Sequence, residues 1–256
     1  MTFMAHILLH EKRKKNKNKK EKIEWVFGEH LATAFARAIE HGCVKSRGVK
    51  ETVKKIEDAD IIPYDQSEES KLLRYYLNEA KEKNNPLFLL IAYTLNSSFY
   101  QTINGRMAEG SPNKVYKRLC STWSGYYTGV LMKHPALHCY RWRGRTYRGF
   151  VTSREDAKAK YKVGVWLTNK AFQSSSKLKA VAGRFASQPR NVEDPVSVII
   201  SYDIRDERSG LDVENISKYP TEREVLMVPG CLFEVIKVEG DDKMEVEARQ
   251  ILTHNA

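Results

Sequence analysis

The first half of the chain carries hydrophobic residues at helical spacing. Between residues 23 and 44, apolar side chains recur about every three or four positions, at Trp25, Leu31, Phe35, Ala38 and Ile39. This pattern predicts one amphipathic helix that ends near Gly42.

Further helices are predicted between residues 68 and 132. The segment DQSEES can cap a helix that begins near Glu68 and continues to Lys83. Its buried stripe is expected to consist of Leu72, Leu73, Tyr76 and Ala80. The run Leu87 to Leu95 is apolar on nearly all sides, which predicts a buried helix after Pro86. Residues 113–132 are expected to form one more helix, with Tyr116, Leu119, Trp123, Tyr126 and Tyr127 on its inner side.

Beyond Pro135 the helical period gives way to short runs rich in β-branched and aromatic residues. Bounded by turn residues, these runs predict strands at 136–147, 163–168, 196–204, 224–228, 232–238 and 244–252. A helix is expected to start in the serine cluster at 174–176. Helices followed by strands favour an α+β architecture over alternating βαβ units.

Composition narrows the class of protein. Hydrophobic residues make up 41% and charged residues 29% of 256 residues, which is typical of a globular chain with one large domain or two small ones. No apolar run approaches the roughly 20 residues of a bilayer span. The apolar run Met1 to Leu9 has its charges after it, the reverse of a secretory signal.

Cysteine and histidine patterns give no support to a metal site. The cysteines are far apart and form no CxxC pair, and the seven histidines form no HExxH pair. The cysteines are Cys43, Cys120, Cys139 and Cys231. They are expected to be reduced, mostly buried thiols of an intracellular protein, cytoplasmic or nuclear. Two disulfides in a secreted protein are the alternative.

About half of the net positive charge lies in one short segment. The formal net charge is +11, and residues 11–22, EKRKKNKNKKEK, hold eight Lys or Arg against two Glu, a net +6. Such a block repels itself and is expected to form a disordered arm, residues 1–22. Residues 12–22 are either a nuclear-localisation or weak nucleic-acid-binding segment, or a solvated linker.

Three motifs occur in order in the strand-rich half: TYRG at 146–149, FQSSS at 172–176 and YPTEREVL at 219–226. Together they resemble the arginine, serine and glutamate (R-S-E) signature of clostridial-toxin-like mono-ADP-ribosyltransferases. The flanks match as well, in Gly164, Asn169 and the segment EVLMVPGCLFEVIKV. The middle residue of the serine motif, Ser175, departs from the family's common threonine but keeps the hydroxyl.

The resemblance implies a fold and a domain layout. The expected catalytic core, residues 135–256, consists of two roughly perpendicular, mainly antiparallel β-sheets. A helical segment, residues 23–134, is expected to pack on this core. The ADP-ribosylating toxin turn-turn (ARTT) loop of the family corresponds to the YPTERE segment.

The two glutamates of this loop receive distinct roles. A carboxylate can stabilise the positive charge that develops on the ribose when the bond to nicotinamide breaks, and the resemblance assigns this role to Glu224. Glu222 is expected to accept the proton of an incoming guanidinium. The Glu-x-Glu form implies an arginine acceptor, which Tyr219 would meet.

The other motif residues are expected to hold NAD. Arg148 supplies a planar cation for phosphate and ribose oxygens, and Gly149 allows the backbone to approach the nicotinamide amide. Ser174 would bond and orient Glu224. Phe185 is a candidate for stacking against nicotinamide, and Arg184 for a second phosphate contact.

A second arginine imitates the first motif, because Arg143 precedes Gly144 in WRG. Arg148 lies 26 residues before Ser174, the spacing that suits the family, whereas Arg143 lies 31 residues before it. We therefore assign the motif arginine to Arg148.

The sequence thus predicts an enzyme that transfers one ADP-ribose unit from NAD to a protein arginine, through an SN1-like oxocarbenium mechanism without a metal. The expected partners are NAD and an arginine-bearing protein, with no membrane, and the chain is expected to be a monomer. The alternatives are a nucleic-acid base as acceptor, or a catalytically silent basic binding module.

Overall fold

The computed structural model describes residues 25–62, 65–95, 98–109 and 111–252, with the side chains of 41–43 and 98 left out. The predicted basic arm, residues 1–22, lies outside the described residues. The helices are α1 (Glu29–Arg37), α2 (Val49–Asp58), α3 (Glu68–Lys83), α4 (Leu87–Thr94), α5 (Ser98–Ala108), α6 (Pro112–Ser121), α7 (Trp123–Lys133), α8 (Arg154–Lys160) and α9 (Lys179–Ala186). The strands are β1 (Trp25–Phe27), β2 (Arg141–Trp142), β3 (Gly144–Ser153), β4 (Trp166–Asn169), β5 (Gln173–Ser176), β6 (Pro195–Ile204), β7 (Gly210–Asp212), β8 (Glu224–Met227), β9 (Leu232–Glu239) and β10 (Lys243–Gln250).

The chain forms two compact units, a helical one and a strand-rich one. The helical unit consists of Ala38–Tyr140 together with Ile216–Tyr219. The strand-rich unit consists of Trp25–Arg37, Arg141–Asn215 and the residues from Pro220 onwards. Helices and strands are therefore segregated along the chain, and the predicted α+β class is confirmed.

The predicted helix at 23–44 is wrong at its start. Trp25–Phe27 is a strand, β1, which pairs antiparallel with β4. Helix α1 follows it and continues into a π-helical turn, Ala38–Cys43. Tertiary pairing with β4 therefore overrides the helical period of residues 25–27, and Leu31 is exposed although the pattern places it in the buried stripe.

The helical unit confirms two predicted helices and divides a third. Helix α3 begins where it was predicted to begin, with Ser67 as the N-cap whose Oγ accepts from Ser70 N–H (3.2 Å). The apolar run after Pro86 is helix α4. The predicted single helix at 113–132 is two helices, because Thr122 is extended and Gly125 packs directly against the carbonyl of Leu119.

Aromatic packing supplies much of the helical unit's core. Phe99 stacks on Trp123 and meets Tyr127 edge to face, with ring centroids 6.2 and 5.4 Å apart. The buried Tyr127 hydroxyl donates to the carbonyl of Leu89 (2.7 Å), so its polar end is satisfied. No helix in the described part of the chain is both long and apolar enough to span a membrane.

The strands form one connected ladder in the order β1-β4-β9-β10-β6-β3-β5-β8-β7-β2, in which only β6 and β10 are parallel. A single residue pair, Tyr147 with Ser176, connects β3 to β5. The ladder divides there into a six-stranded and a four-stranded part, which correspond to the two predicted sheets. The predicted strands at 136–147 and 163–168 start late, since residues 135–140 form a 3-10 turn and β4 begins at Trp166.

Helix α9 packs on strand β3 through small residues. A Cβ on Gly149 would lie 1.8 Å from the carbonyl oxygen of Ala182, so only glycine permits this approach. The helix begins at Lys179 rather than in the serine cluster, because Gln173–Ser176 is strand β5 and pairs with β8. Local preferences alone cannot reveal this pairing partner, which lies about 50 residues away.

The contact between Gly149 and Ala182 leads to a stability prediction. Gly149→Ala is expected to lower the free energy of unfolding by about 3 kcal/mol or more, because a backbone carbonyl must move to admit the methyl group. Gly183→Ala is the matched control on the same helix, since its Cβ would meet nothing within 4 Å. We expect this control to stabilise by about 0.5 to 1 kcal/mol in denaturant titrations. Equal stability of the two variants would contradict the packing argument.

Candidate active site

Three consecutive serines fasten strand β5 to strand β8. Ser174 Oγ donates to a carboxylate oxygen of Glu224. Ser175 Oγ donates to the carbonyl of Val225 (2.9 Å), and Ser176 Oγ donates to the carbonyl of Glu222 (2.7 Å). Two of the hydroxyls therefore contact the two glutamates of the Glu-x-Glu segment, and the third contacts the next residue, Val225.

The antiparallel register explains why Ser174 and Glu224 meet. Ser174 lies opposite Leu226 and Ser176 lies opposite Glu224. Ser174 and Glu224 are thus diagonal neighbours, two positions apart on the same face of the pair, within reach of each other's side chains.

Glu224 is a buried carboxyl group, 3% exposed. Its Oε1 accepts from Ser174, whereas its Oε2 has no hydrogen-bond partner among the described residues. Burial raises the pKa of Glu224 from 4.5 to about 7, against the opposing effects of the Ser174 hydrogen bond and the charge of Arg148. An orphaned, buried carboxylate oxygen is unfavourable for folding and marks a candidate ligand-binding group.

Arg148 lies beside this carboxyl group. Its Nη1 donates to the backbone carbonyl of Ser174 (2.8 Å), and its positive charge acts on Glu224. Residue 147, the neighbour of Arg148 on β3, forms the single β3–β5 pair, so the arginine projects from the link between the two parts of the sheet. Arg143, the rival arginine, is exposed between β2 and β3.

Glu222 is the second buried carboxyl group, also 3% exposed. Its Oε1 lacks a hydrogen-bond partner within the described ranges. Burial raises the pKa of Glu222 from 4.5 to about 7, partly offset by the charge of Arg184. Two buried acidic groups with raised pKa values therefore lie two residues apart.

The residue between the glutamates has a left-handed backbone. Arg223 has a φ of +46°, a conformation that costs a non-glycine residue about 1 to 2 kcal/mol. It follows a short 3-10 turn, Pro220–Glu222, and its N–H donates to the carbonyl of Pro220 (3.0 Å). This turn leaves Arg223 exposed while both neighbouring glutamates are buried.

The remaining predicted site residues lie in different surroundings. Arg184 is exposed but near enough to act on Glu222. Phe185 is 4% exposed and belongs to the buried core. Gly149 is required by the close packing of α9 on β3, and this requirement does not depend on its predicted contact with nicotinamide. Tyr219 belongs to the segment Ile216–Tyr219 of the helical unit, where its N–H is bonded to Ser217 Oγ (3.1 Å).

Sequence reasoning missed a set of charged residues around the Glu-x-Glu segment. Lys177 Nζ contacts Asp212 (2.6 Å) and Glu214 (2.9 Å), and Glu214 also accepts from Arg223 Nε (2.8 Å). Lys177 directly follows the serine motif, but its partners are 35 and 37 residues away. No local pattern could therefore have identified them.

The cysteine prediction is corrected in part. Of the described thiols, Cys231 is buried, Cys120 is half-buried and Cys139 is exposed, all three without a disulfide. Among the described residues no group of three or more His, Cys, Asp or Glu side chains could hold a metal ion.

The site can hold a ligand that carries positive charge. Two buried carboxyl groups, each with an oxygen that has no partner in the part of the chain that the structure describes, are suited to accept hydroxyl or N–H donors and to stabilise a cation. An adjacent guanidinium is suited to bind phosphate or carboxylate oxygens. A group with both a cationic and an anionic part fits this combination.

Comparison of the sequence with protein-family models and with curated proteins gives no match. Solved structures do match. The type III effector XopAI of Xanthomonas axonopodis pv. citri is 16% identical with a TM-score of 0.54, and the match covers 87% of this chain and 97% of that chain. The ADP-ribosyltransferase Vis of Vibrio splendidus is 20% identical with a TM-score of 0.49, covering 84% and 90%.

A third similar structure is the ADP-ribosyltransferase HopU1 of Pseudomonas syringae pv. tomato, 14% identical with a TM-score of 0.49, covering 88% of this chain and 98% of that chain. The similarities to Vis and HopU1 are too weak to support a conclusion of their own. At 16% identity the match to XopAI shows a shared fold. The chain therefore shares its α+β fold, strand-rich unit and preceding helices included, with XopAI over most of the length of both proteins.

Proposed function

We propose that the chain transfers a single ADP-ribose unit from NAD to an arginine side chain of an acceptor protein and releases nicotinamide. One observation carries the proposal: the three motif residues of the R-S-E signature, 26 and 50 positions apart, are joined by direct hydrogen bonds. Arg148 donates to the Ser174 carbonyl, and the Ser174 hydroxyl donates to Glu224. These are the contacts expected of a site that grips a dinucleotide near a catalytic carboxylate.

The proposed reaction begins when the bond between the ribose and nicotinamide breaks. Nicotinamide leaves with the electron pair of that bond, and positive charge develops on the sugar. Ionised Glu224, oriented by Ser174, stabilises this charge and holds a ribose hydroxyl with its Oε2, which lacks a protein partner in the described structure. Arg148 binds the phosphate oxygens, for which guanidinium geometry is suited.

The second step forms the bond to the acceptor. A guanidinium nitrogen of the acceptor attacks the ribose carbon, and its proton passes to ionised Glu222. The unpartnered Glu222 Oε1 supports this role, because a buried acceptor atom needs a donor from the substrate. A pKa near 7 also suits a group that takes and returns a proton at neutral pH.

The test of this function uses NAD labelled in the adenosine part. The full chain is incubated with labelled NAD and a mixture of arginine-rich proteins and nucleic acid, and nicotinamide release and label transfer are followed. We expect nicotinamide to be released and the label to be attached to protein. After protease digestion, mass spectrometry should find the label on peptides modified at arginine. Label released by nuclease would identify a nucleic-acid base as acceptor instead, and no nicotinamide release would favour the silent binding module.

A further inference from the structure

Four charged side chains, one from the middle of the Glu-x-Glu segment and three beside it, form a cluster of residues that have no catalytic role in the proposed reaction. This cluster, here named the Glu214 clamp, consists of Lys177, Asp212, Glu214 and Arg223. Lys177 Nζ lies 2.6 Å from Asp212 Oδ2 and 2.9 Å from Glu214 Oε2. The other oxygen of Glu214 accepts from Arg223 Nε at 2.8 Å. A single carboxylate therefore bridges the residue after the serine motif to the residue between the two glutamates.

Backbone hydrogen bonds connect the same positions. Lys177 N–H donates to the carbonyl of Arg223 (3.0 Å), and Val213 N–H donates to the carbonyl of Glu224 (3.1 Å). Asp212 lies opposite Val225 where β7 pairs with β8. The clamp thus joins the ends of three strands, β5, β7 and β8, at the point where the catalytic glutamates leave the sheet.

The burial of these groups makes the ion pairs stronger than ordinary surface pairs. The side chains of Lys177 and Glu214 are about one fifth exposed, at 22% and 21%, so solvent screens them only in part. The hydrogen bond from Lys177, followed by that from Arg223, lowers the pKa of Glu214 despite its partial burial. Glu214 is therefore ionised at neutral pH.

The part of the chain that the clamp holds in place is the backbone of Arg223. Its left-handed backbone turns the chain so that Glu222 and Glu224 are both buried while Arg223 itself faces solvent. A non-glycine residue leaves this conformation unless other contacts fix it. The ion pair to Glu214, the hydrogen bond from Lys177 N–H to the Arg223 carbonyl and the hydrogen bond from Arg223 N–H to the Pro220 carbonyl contact Arg223, and two of these three involve the clamp.

We propose that Lys177 and Glu214 are positioning residues, which hold Arg223 in its left-handed conformation and thereby keep the Glu222 and Glu224 carboxyl groups directed at the same substrate. This inference rests on the proposed function for its catalytic consequence. Lys177 and Glu214 affect the reaction through the position of the two glutamates, since neither residue has to contact NAD.

The kinetic test compares Glu214→Gln with the wild-type chain. The glutamine has the same shape but lacks the charge that pairs with Lys177 and Arg223. We expect kcat for nicotinamide release to fall about 10- to 100-fold, the loss typical of displaced catalytic groups, while KM for NAD changes less than about twofold. Lys177→Gln should behave in the same way, and Lys177→Arg should restore most of the rate because it keeps the pair with Glu214.

Glu245→Gln is the matched control. It removes one partner of another Glu–Lys pair of the same unit, Glu245 with Lys179 at 2.7 Å. We expect kcat to stay within about twofold of the wild-type value, since that pair joins strand β10 to helix α9 and not the Glu-x-Glu segment. An equal loss in the control and in Glu214→Gln would overturn the positioning role.

A second measurement decides the proposal without relying on activity. Hydrogen exchange followed by mass spectrometry reports the protection of amides in residues 213–224, including the N–H groups of Val213 and Arg223. We expect at least about tenfold faster exchange there in Glu214→Gln and unchanged exchange in Glu245→Gln. Unchanged exchange in both would overturn the clamp even in an active enzyme.

The two measurements also separate this inference from the proposed function. If the wild-type chain releases no nicotinamide, the proposed function fails, and the exchange data still decide whether Glu214 holds the segment. If the wild-type chain is active and Glu214→Gln exchanges faster at an unchanged kcat, the clamp is structural and the positioning role is overturned. Faster exchange together with a lower kcat supports it.

Discussion

Glu224→Gln is expected to lower both ADP-ribose transfer and NAD hydrolysis by on the order of 10³-fold. Both reactions pass through the same developing positive charge on the ribose, and a neutral amide cannot stabilise it. Glutamine keeps the shape of the side chain and can still accept from Ser174, so the fold is expected to remain intact. Nicotinamide release and label transfer, measured side by side at saturating NAD, check this prediction.

The stability of the same variant provides an internal control. The folded pKa of Glu224, about 7, lies above its ordinary value of 4.5, so the folded chain binds more protons than the unfolded chain between these pH values. Ionisation of Glu224 therefore lowers the stability of the fold as the pH rises from about 4.5 to about 7, and the whole loss is present above pH 7. Glu224→Gln should have an equal or higher Tm than the wild type at pH 8.

Glu193→Gln is the matched chemical control, because it makes the same change in an exposed loop. It is expected to leave both rates unchanged. Retained transfer or hydrolysis in a folded Glu224→Gln variant would remove Glu224 from the mechanism and with it the proposed reaction.

Glu222→Gln is expected to separate the two reactions. Transfer to arginine should fall about 10²- to 10⁴-fold, since the acceptor guanidinium loses its general base, whereas hydrolysis of NAD should stay within a few-fold of the wild type. A water molecule that has bonded to the ribose carbon loses its proton readily, whereas the acceptor guanidinium needs a base to take its proton. Rates measured with and without an acceptor protein give both values from one preparation.

The pH dependence of transfer gives an independent view of Glu222. Its base function requires the ionised form, and burial places its pKa at about 7. Between pH 6 and pH 8 the ionised fraction of a group with a pKa of about 7 rises roughly tenfold, and Glu224 must be ionised as well. Transfer should therefore rise more steeply with pH than hydrolysis, which needs ionised Glu224 alone, and both rates should then level off. Equal losses of transfer and hydrolysis in Glu222→Gln would instead assign Glu222 to the same step as Glu224.

Particular residues show how far the sequence could lead. The order and spacing of TYRG, FQSSS and YPTEREVL predicted which arginine, serine and glutamate would meet, and the structure brings Arg148, Ser174 and Glu224 together. The choice of Arg148 over Arg143 depended on spacing alone. The ends of strands β6, β8, β9 and β10 were predicted to within one or two residues, because short runs of β-branched and apolar residues bounded by turn residues are a local property.

Other features could not be predicted from local patterns. Trp25 fits a helical period, yet it lies in an edge strand because β4 offers it backbone partners about 140 residues later. The serine cluster fits a helix start, yet it is a strand because β8 binds its other side. In both cases long-range hydrogen bonding outweighs intrinsic propensity, which amounts to less than about 1 kcal/mol per residue.

The sequence by itself determined the class of fold, the succession of a helical half and a strand-rich half, and the motif residues that the proposed reaction needs, because periodicity, turn residues and spacing are local properties of the chain. Only the tertiary structure decided the environment of those residues. Burial raises the pKa values of Glu222 and Glu224, and a clamp assembled from three strand ends holds the loop between them. Desolvation and ion pairing depend on groups that are distant in sequence, so they exist only once the strands have paired.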